Sequence, residues 1–362
     1  MNICICGGGN LAHALAGELA HNNSKNNIHI LTRKPEKWSN LIEVQHFHKF
    51  AYNSKIKYIT DDYNILKNMD IIILAIPTHA RYNYLINIKN YIPETAILIT
   101  APSLGGINFI FDKYFPKNKY ACLQRVPYIC RTQNYGHSVT TDKKKELKIF
   151  YSLNITSNDK KNIEEMFNIN IIELKNYLEI MLSNSNPILH IAGLVQLLKS
   201  GYPYSYIPRL YDIWNNDTSN IALKMDNELK LIMKKMKNYE YVSLLEYYGV
   251  KTIKELTIKL KSIESFKDVM APFIKKDNLY YIDINSRYII EDIPFGTCFI
   301  KYTANNNNIK TPTIDTAIKF IQKYIGEIYI NEDNSLNISY WKKTLGYPNK
   351  ILKLLQESVN QI

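Results

Sequence analysis

The 362-residue chain has no apolar run approaching the roughly 20 residues a membrane-spanning helix needs, so no membrane partner is expected. Its start lacks a basic stretch followed by an apolar core, which reads as the absence of a signal peptide. The five cysteines, Cys4, Cys6, Cys122, Cys130 and Cys298, form no C-x-x-C pair and no Cys/His spacing suited to zinc. No metal site is therefore expected, and the thiols read as reduced and packed. Concentrated positive charge is missing as well. The net charge is +12, but Lys and Arg are interleaved with Asp and Glu, and Lys143-Lys144-Lys145 is followed at once by Glu146. A nucleic-acid binder would gather its charge on one face or tail, so no nucleic-acid partner is expected. A diffuse positive field suits anionic small molecules instead. No internal repeat is visible. The expectation is a soluble, cytoplasmic protein.

What the chain does have stands at its beginning. Asn2-Ile3-Cys4-Ile5-Cys6 is a short apolar strand, and Gly7-Gly8-Gly9-Asn10-Leu11-Ala12 is a G-x-G-x-x-A turn opening a helix. Gly7 permits the tight turn, Gly9 lets backbone N–H groups approach a pyrophosphate, and Ala12 keeps the helix close to the strand. With Asn10 and Leu11 these residues form the expected dinucleotide site. The second strand, Ile28 to Thr32, runs into Thr32-Arg33-Lys34-Pro35. An NAD-selecting site usually has a carboxylate there for the ribose hydroxyls. A guanidinium instead grips a 2′-phosphate, so NADP(H) is the expected cofactor and NAD(H) the alternative.

Up to residue 176 strands and helices alternate. Asp70 to Ala75 is a near-continuous apolar strand of the kind buried on both faces of a parallel sheet. It ends in Ile76-Pro77, on the carboxyl side where open α/β sheets bind ligands, so both residues join the cofactor set. Glu36 to Phe50 reads as a polar segment, and further strands are expected near 56–59, 95–100, 120–123, 148–151 and 169–174. From residue 177 the texture becomes helical, with apolar residues at helical spacing over 178–183, 189–199, 219–236 and 253–261. Asn186-Pro187 stops one helix and starts the next, while Asn305 to Asn308 reads as an exposed loop tip. The expected fold is α/β: an N-terminal Rossmann-type, doubly wound domain over 1–176, then a mostly α-helical domain over 177–362.

The second domain holds one histidine, His190, in Asn186-Pro187-Ile188-Leu189-His190. Imidazole is the side chain best suited to moving a proton near neutral pH. A lone histidine on an apolar helix face is commonly a core residue, and a carboxylate able to orient it shifts the balance. Glu291-Asp292-Ile293-Pro294-Phe295-Gly296 is a compact acidic turn between apolar segments. An Asp bonded to the far ring nitrogen would select the tautomer and stabilise imidazolium.

With these elements in order the chain resembles the opine dehydrogenases, the octopine/nopaline dehydrogenase family. The resemblance rests on the G-G-G-N loop, V-P-Y-x-C-R at 126–131, N-P-x-x-H at 186–190 and D-x-E at 226–228. R-Y-x-x-E-D-I-P-F-G at 287–296 and T-P-T-I-D at 311–315 complete the set. The family condenses an amino acid with a 2-oxo acid and reduces the imine with a nicotinamide cofactor, giving an N-(carboxyalkyl) amino acid. By motif, the resemblance implies that His190 is the catalytic histidine, Asp292 its partner carboxylate, and Arg287 an arginine that reaches the cofactor pyrophosphate. Gln124 and Arg131 are candidates for gripping the oxo-acid carboxylate. Tyr211 and Trp214, in the aromatic-rich segment Pro203 to Asp217, stand where substrate-recognition residues are expected. The resemblance is compatible with a monomer or a homodimer.

One departure concerns the loop. The family often has a glycine pair where this chain has Leu11-Ala12, which should crowd the face nearest the pyrophosphate. Two other readings stay open. A ketopantoate-reductase-like or glycerol-3-phosphate-dehydrogenase-like enzyme would use a lysine on the helix opening at 186, whose first lysine is Lys199. A non-catalytic NADP(H)-sensing protein would need neither His190 nor the acidic turn.

Overall fold

The computed structural model describes residues 1–46, 48–183, 185–235 and 241–360. The chain divides into two compact units, Met1–Ile180 and Met181–Ile362, so the division falls four residues beyond the expected 176.

The first unit opens with β1 (Asn2–Cys6), α1 (Asn10–Asn22), β2 (Asn27–Leu31), β3 (Leu41–His46), β4 (Lys49–Lys55) and β5 (Tyr58–Thr60). Next come β6 (Ile71–Leu74), α2 (Thr78–Ile88), β7 (Ile97–Thr100), α3 (Ile107–Tyr114) and β8 (Lys119–Leu123). Then β9 (Tyr128–Asn134), β10 (Ser138–Lys143), β11 (Glu146–Tyr151), α4 (Ser157–Phe167) and β12 (Asn170–Glu173) complete it. The main sheet runs β5-β2-β1-β6-β7-β8-β11-β12, with every neighbouring pair parallel except β8 with β11. Chain order along the first six strands reverses beside β1, which is the doubly wound arrangement and its ligand-binding switch point. Ile71, Ile72, Ile73 and Leu74 are all fully buried, as a parallel strand covered on both faces requires. Each such side chain taken from water contributes roughly 1.5–3 kcal/mol.

The expected polar segment at 36–50 is a correction. It contributes β3 and the start of β4, and these join β9 and β10 in a second sheet ordered β4-β3-β10-β9 (Phe47 lies outside the described residues). This sheet covers the outer face of α1. Gly17 on α1 makes room for it, since an added Cβ would lie 2.4 Å from Val44 Cγ2. Ser54 donates to the Gly17 carbonyl at 2.6 Å, and the Thr141 hydroxyl donates to the buried Glu18 carboxylate. The strands escaped the sequence pattern because only Ile42 and Val44 of β3 and Ser54 of β4 are buried. Tyr63–Asn68 forms a short 3-10 helix, capped by Asp62 through Asn64 N–H at 2.9 Å.

Helix α5 (Tyr177–Ser183) carries the chain across the division. The second unit continues with α6 (Asn186–Lys199), α7 (Asn216–Lys235), α8 (Leu244–Tyr248), α9 (Ile253–Ser262) and α10 (Glu264–Lys267). A hairpin, β13 (Phe273–Lys276) and β14 (Leu279–Ile282), precedes a π-helical segment, Tyr288–Thr297. Helices α11 (Cys298–Asn306), α12 (Pro312–Ile325), α13 (Ile338–Leu345) and α14 (Asn349–Asn360) follow. Met236, expected as the end of α7, lies outside the described residues, as do 361 and 362. The asparagine tract is also a correction: Asn305 and Asn306 end α11, and Asn307 is buried, its side-chain amide donating to the Thr303 carbonyl at 3.0 Å. No helix among the described residues is long and apolar enough to cross a membrane.

Two family motifs prove to be one joint. Glu228 accepts from Thr313 N–H at 2.6 Å and Ile314 N–H at 3.0 Å, so the D-x-E element caps the helix of the T-P-T-I-D element. Asp226 accepts from Leu244 N–H at 2.9 Å, and buried Lys301 lies 2.7 Å from Asp315.

The tip of the β9–β10 hairpin gives a test of the second sheet. Gly136 has φ +77°, and an added Cβ would lie 1.9 Å from the Lys37 carbonyl oxygen. Gly136→Ala should therefore lower the unfolding free energy by about 2–4 kcal/mol through strain and overpacking. Urea titration followed by circular dichroism reads this, and an unchanged midpoint would contradict the close approach.

Candidate active site

In the first unit the glycine turn has the geometry a phosphate needs. Gly7 has φ +143°, and an added Cβ would lie 2.4 Å from the Ala75 carbonyl oxygen. Gly9 caps α1 with no side chain on the first-turn N–H groups and no atom within 4 Å of where its Cβ would point. Unsatisfied N–H groups beside open space, at the positive end of a helix dipole, make a fitting cradle for a pyrophosphate. Ala12 is buried, and Leu11, partly exposed, packs on the core. Asn10 is turned aside: its carboxamide oxygen accepts from Thr132 N–H at 3.1 Å and ties the turn to β9.

His13, which the sequence reading passed over, makes a second tie. Its Nδ1 lies 2.9 Å from the Gly9 carbonyl and its Nε2 2.7 Å from Gly136 N, while its ring stacks on Trp38 at 4.1 Å. Since Gly136 N–H must donate, Nε2 accepts and Nδ1–H donates to Gly9. Burial lowers the pKa of this ring, and the bond to Gly9 opposes the shift only in part.

At the end of β2, Thr32 is buried while Arg33 and Lys34 are exposed, with no ion pair to either among the described residues. Ile76 and Pro77 follow β6. The Ile76 carbonyl accepts from Arg81 Nε at 3.1 Å, and Arg81 Nη1 donates to the Pro102 carbonyl at 2.7 Å. Arg81 is 2 % exposed and clamps the loops after β6 and β7, a role its sequence context did not reveal. Gln124 is buried just after β8, its N–H donating to the Lys148 carbonyl at 2.9 Å. Arg131 is exposed on β9, in the second sheet. Lys144 stands half-buried beside Arg125; burial first and that guanidinium second push its ammonium down to about 8.

In the second unit the structure brings His190 and Asp292 together. Nδ1 of His190 lies 2.7 Å from Asp292 Oδ2, with side-chain exposures of 18 % and 4 %. Tyr288 stacks on the imidazole at 4.0 Å and 7°. Asp292 accepting at Nδ1 leaves the Nε2 lone pair for a proton from outside. The acidic turn is built for this register. Pro294 lacks an N–H and interrupts α-helical bonding, so the chain takes the wider π turn, and Trp341 Nε1 donates to the Pro294 carbonyl at 2.7 Å. Gly296 lies against α6, where an added Cβ would be 2.4 Å from Pro187 Cγ. The Thr297 hydroxyl is shared between the carbonyls of Pro187 at 3.3 Å and Asp292 at 3.1 Å.

Arg287 Nε donates to buried Glu291 at 2.7 Å while 64 % of its side chain stays exposed, so the carboxylate holds the stem and leaves the guanidinium end in solvent. Tyr211 and Trp214 are both buried. Tyr211 is 4 % exposed and stacks on Phe266 at 4.4 Å; Trp214 is 1 % exposed and donates to the Ser219 hydroxyl at 2.8 Å. Both rings are buried within the second unit.

The family model described as NAD/NADP octopine/nopaline dehydrogenase, alpha-helical domain, matches residues 173–325. A second, described as NADP oxidoreductase coenzyme F420-dependent, matches residues 2–102. The chain is similar to an octopine dehydrogenase from Mizuhopecten yessoensis, 24 % identical over 369 residues and 91 % of each chain. Among solved structures it is similar to an octopine dehydrogenase with NADH and L-arginine, at TM-score 0.77, 23 % identity and 98 % of each chain. A yersinopine dehydrogenase with NADP+ bound superposes at TM-score 0.69 with 13 % identity, over 100 % of this chain and 98 % of that one.

The lowered pKa of His13 sets a pH dependence. The unfolded chain takes up a proton near the ordinary value of 6.5 that the folded ring refuses until lower pH, so stability is complete above 6.5 and declines below it. The thermal midpoint should fall between pH 7.5 and 5.5, and His13→Gln should flatten that fall; an equally steep profile in the variant would remove His13 as a source.

Proposed function

We propose that this chain, which belongs to the octopine/nopaline dehydrogenase family, catalyses the NADPH-dependent condensation of an amino acid with a 2-oxo acid to an N-(carboxyalkyl) amino acid. The observation that carries the reading is the His190–Asp292 pair, a mostly buried general base with an accessible edge, whose far nitrogen is fixed by a buried carboxylate. Its Nε2 takes a proton from the substrate ammonium, freeing the amine to attack the oxo carbon. The same nitrogen returns that proton to the carbinolamine hydroxyl, which leaves as water as the imine forms. Asp292 stabilises the imidazolium between the two transfers, and Tyr288 holds the ring in plane. A bound reduced nicotinamide supplies the hydride that completes the reaction. The glycine turn would hold its pyrophosphate, and the family resemblance implies Arg287 as a further residue toward that group. Arg33 and Lys34, exposed and without ion pairs among the described residues, favour the 2′-phosphate of NADPH. Gln124 and Arg131 remain the candidates for the oxo-acid carboxylate.

NADPH oxidation should require both a 2-oxo acid such as pyruvate and one member of an amino-acid panel. Turnover of pyruvate or ketopantoate alone, with no amine, would overturn the assignment. His190→Ala should lower kcat by about a thousandfold, the scale of a positioned acid/base, while NADPH affinity stays unchanged. A variant that instead loses cofactor affinity would place the ring outside the proton path.

A further inference from the structure

Tyr135, at the tip of the β9–β10 hairpin, is 38 % exposed, and its ring stands edge-on to His13 at 5.1 Å and to Trp38 at 6.0 Å. Its hydroxyl reaches over the glycine turn. The point where a Cβ on Gly8 would sit is 2.6 Å from the Tyr135 hydroxyl and 2.8 Å from Thr32 Oγ1. Two hydroxyls thus flank one glycine of the cradle, and neither has a hydrogen-bond partner among the described residues. Arg33 and Lys34 follow Thr32 directly and are exposed. Of the nearby acids, Glu36 lies in the next turn; Asp61, exposed, and Asp62, which accepts from Asn64 N–H at 2.9 Å, follow β5, the strand beside β2.

A bare ribose hydroxyl at this strand end is usually met by a carboxylate acceptor. Here the convergent groups are two O–H donors and two cations, a set that matches a phosphomonoester dianion. We infer that the Tyr135 hydroxyl donates to the 2′-phosphate of the adenosine ribose, so the second sheet reads the cofactor's phosphorylation state. The inference rests on the NADPH reading above. The hairpin is held for the task without help from the ligand. Gly136 N–H donates to His13, Ser39 N–H donates to the Gly136 carbonyl at 2.9 Å, and Thr132 N–H donates to Asn10. Hairpin and glycine turn therefore form one bonded unit, and placing the tyrosine costs little ordering on binding.

The test uses the full chain, Tyr135→Phe and calorimetric titration with adenosine 2′,5′-bisphosphate and adenosine 5′-monophosphate, which differ only in the 2′-phosphate. Phenylalanine keeps the ring against His13 and Trp38, so the fold is retained. Wild type should bind the bisphosphate at least tenfold more tightly, and the variant should lose about tenfold for the bisphosphate and nothing for the monophosphate, as expected for one charge-assisted bond. In steady state, KM for NADPH should rise by a similar factor with kcat unchanged. Equal losses for both nucleotides, no loss for either, or tighter bisphosphate binding by the variant would overturn the inference. A wild type that binds the two nucleotides equally would instead show that the NADPH reading had failed.

Discussion

A carboxylate taken out of water costs several kcal/mol unless donors meet it, and this chain takes out seven among its described residues. Each one fixes a junction. Glu18 is met by Thr141 across α1 and β10, Glu179 by the N–H groups of Lys175 and Asn176, Asp226 by Leu244, and Glu228 by the start of α12. Glu291 is met by Arg287, Asp292 by His190, and Asp315 by Lys301. An arrangement that left any of these carboxylates without donors would strand a buried charge, so packing alternatives open to an apolar core are closed here. The proposed catalytic pair is one member of this set, distinguished by the imidazole edge that stays accessible.

That constraint explains which motifs are architecture and which are chemistry. D-x-E and T-P-T-I-D face each other as cap and helix, and Lys301 neutralises the Asp that ends the second. N-P-x-x-H and E-D-I-P-F-G also face each other, through Gly296 on Pro187 and Thr297 on the Pro187 carbonyl. The second contact sets the register that brings residue 292 to residue 190.

The doubly wound sheet was legible because its strands are short, apolar and buried on both faces, as Ile71 to Leu74 show. The second sheet was not, since half its residues face solvent and its pairing joins segments some ninety residues apart, as Glu43 with Ser138. His190 and Asp292 could be named from motif spacing, but their meeting depends on a π turn that no periodicity signals. Arg81 and His13 were invisible for another reason. A buried arginine and a surface arginine look alike in sequence, and so do a histidine bonded at both nitrogens and one in solvent. Tyr211 and Trp214, clustered in sequence, also stack on each other.

The ties on α1 bear on how the chain acquires its shape. Helix α1 precedes its partners by a long stretch of chain: Asn10 bonds to a strand 122 residues later and His13 to a turn 123 residues later. Until β9 and β10 exist, the outer face of that helix and the imidazole on it have no cover, and the glycine turn lacks both of its side-chain anchors. Contacts of such separation must close long loops before they return any stabilisation, which places this unit among slow-folding topologies. The glycine turn is therefore among the last parts of its unit to set.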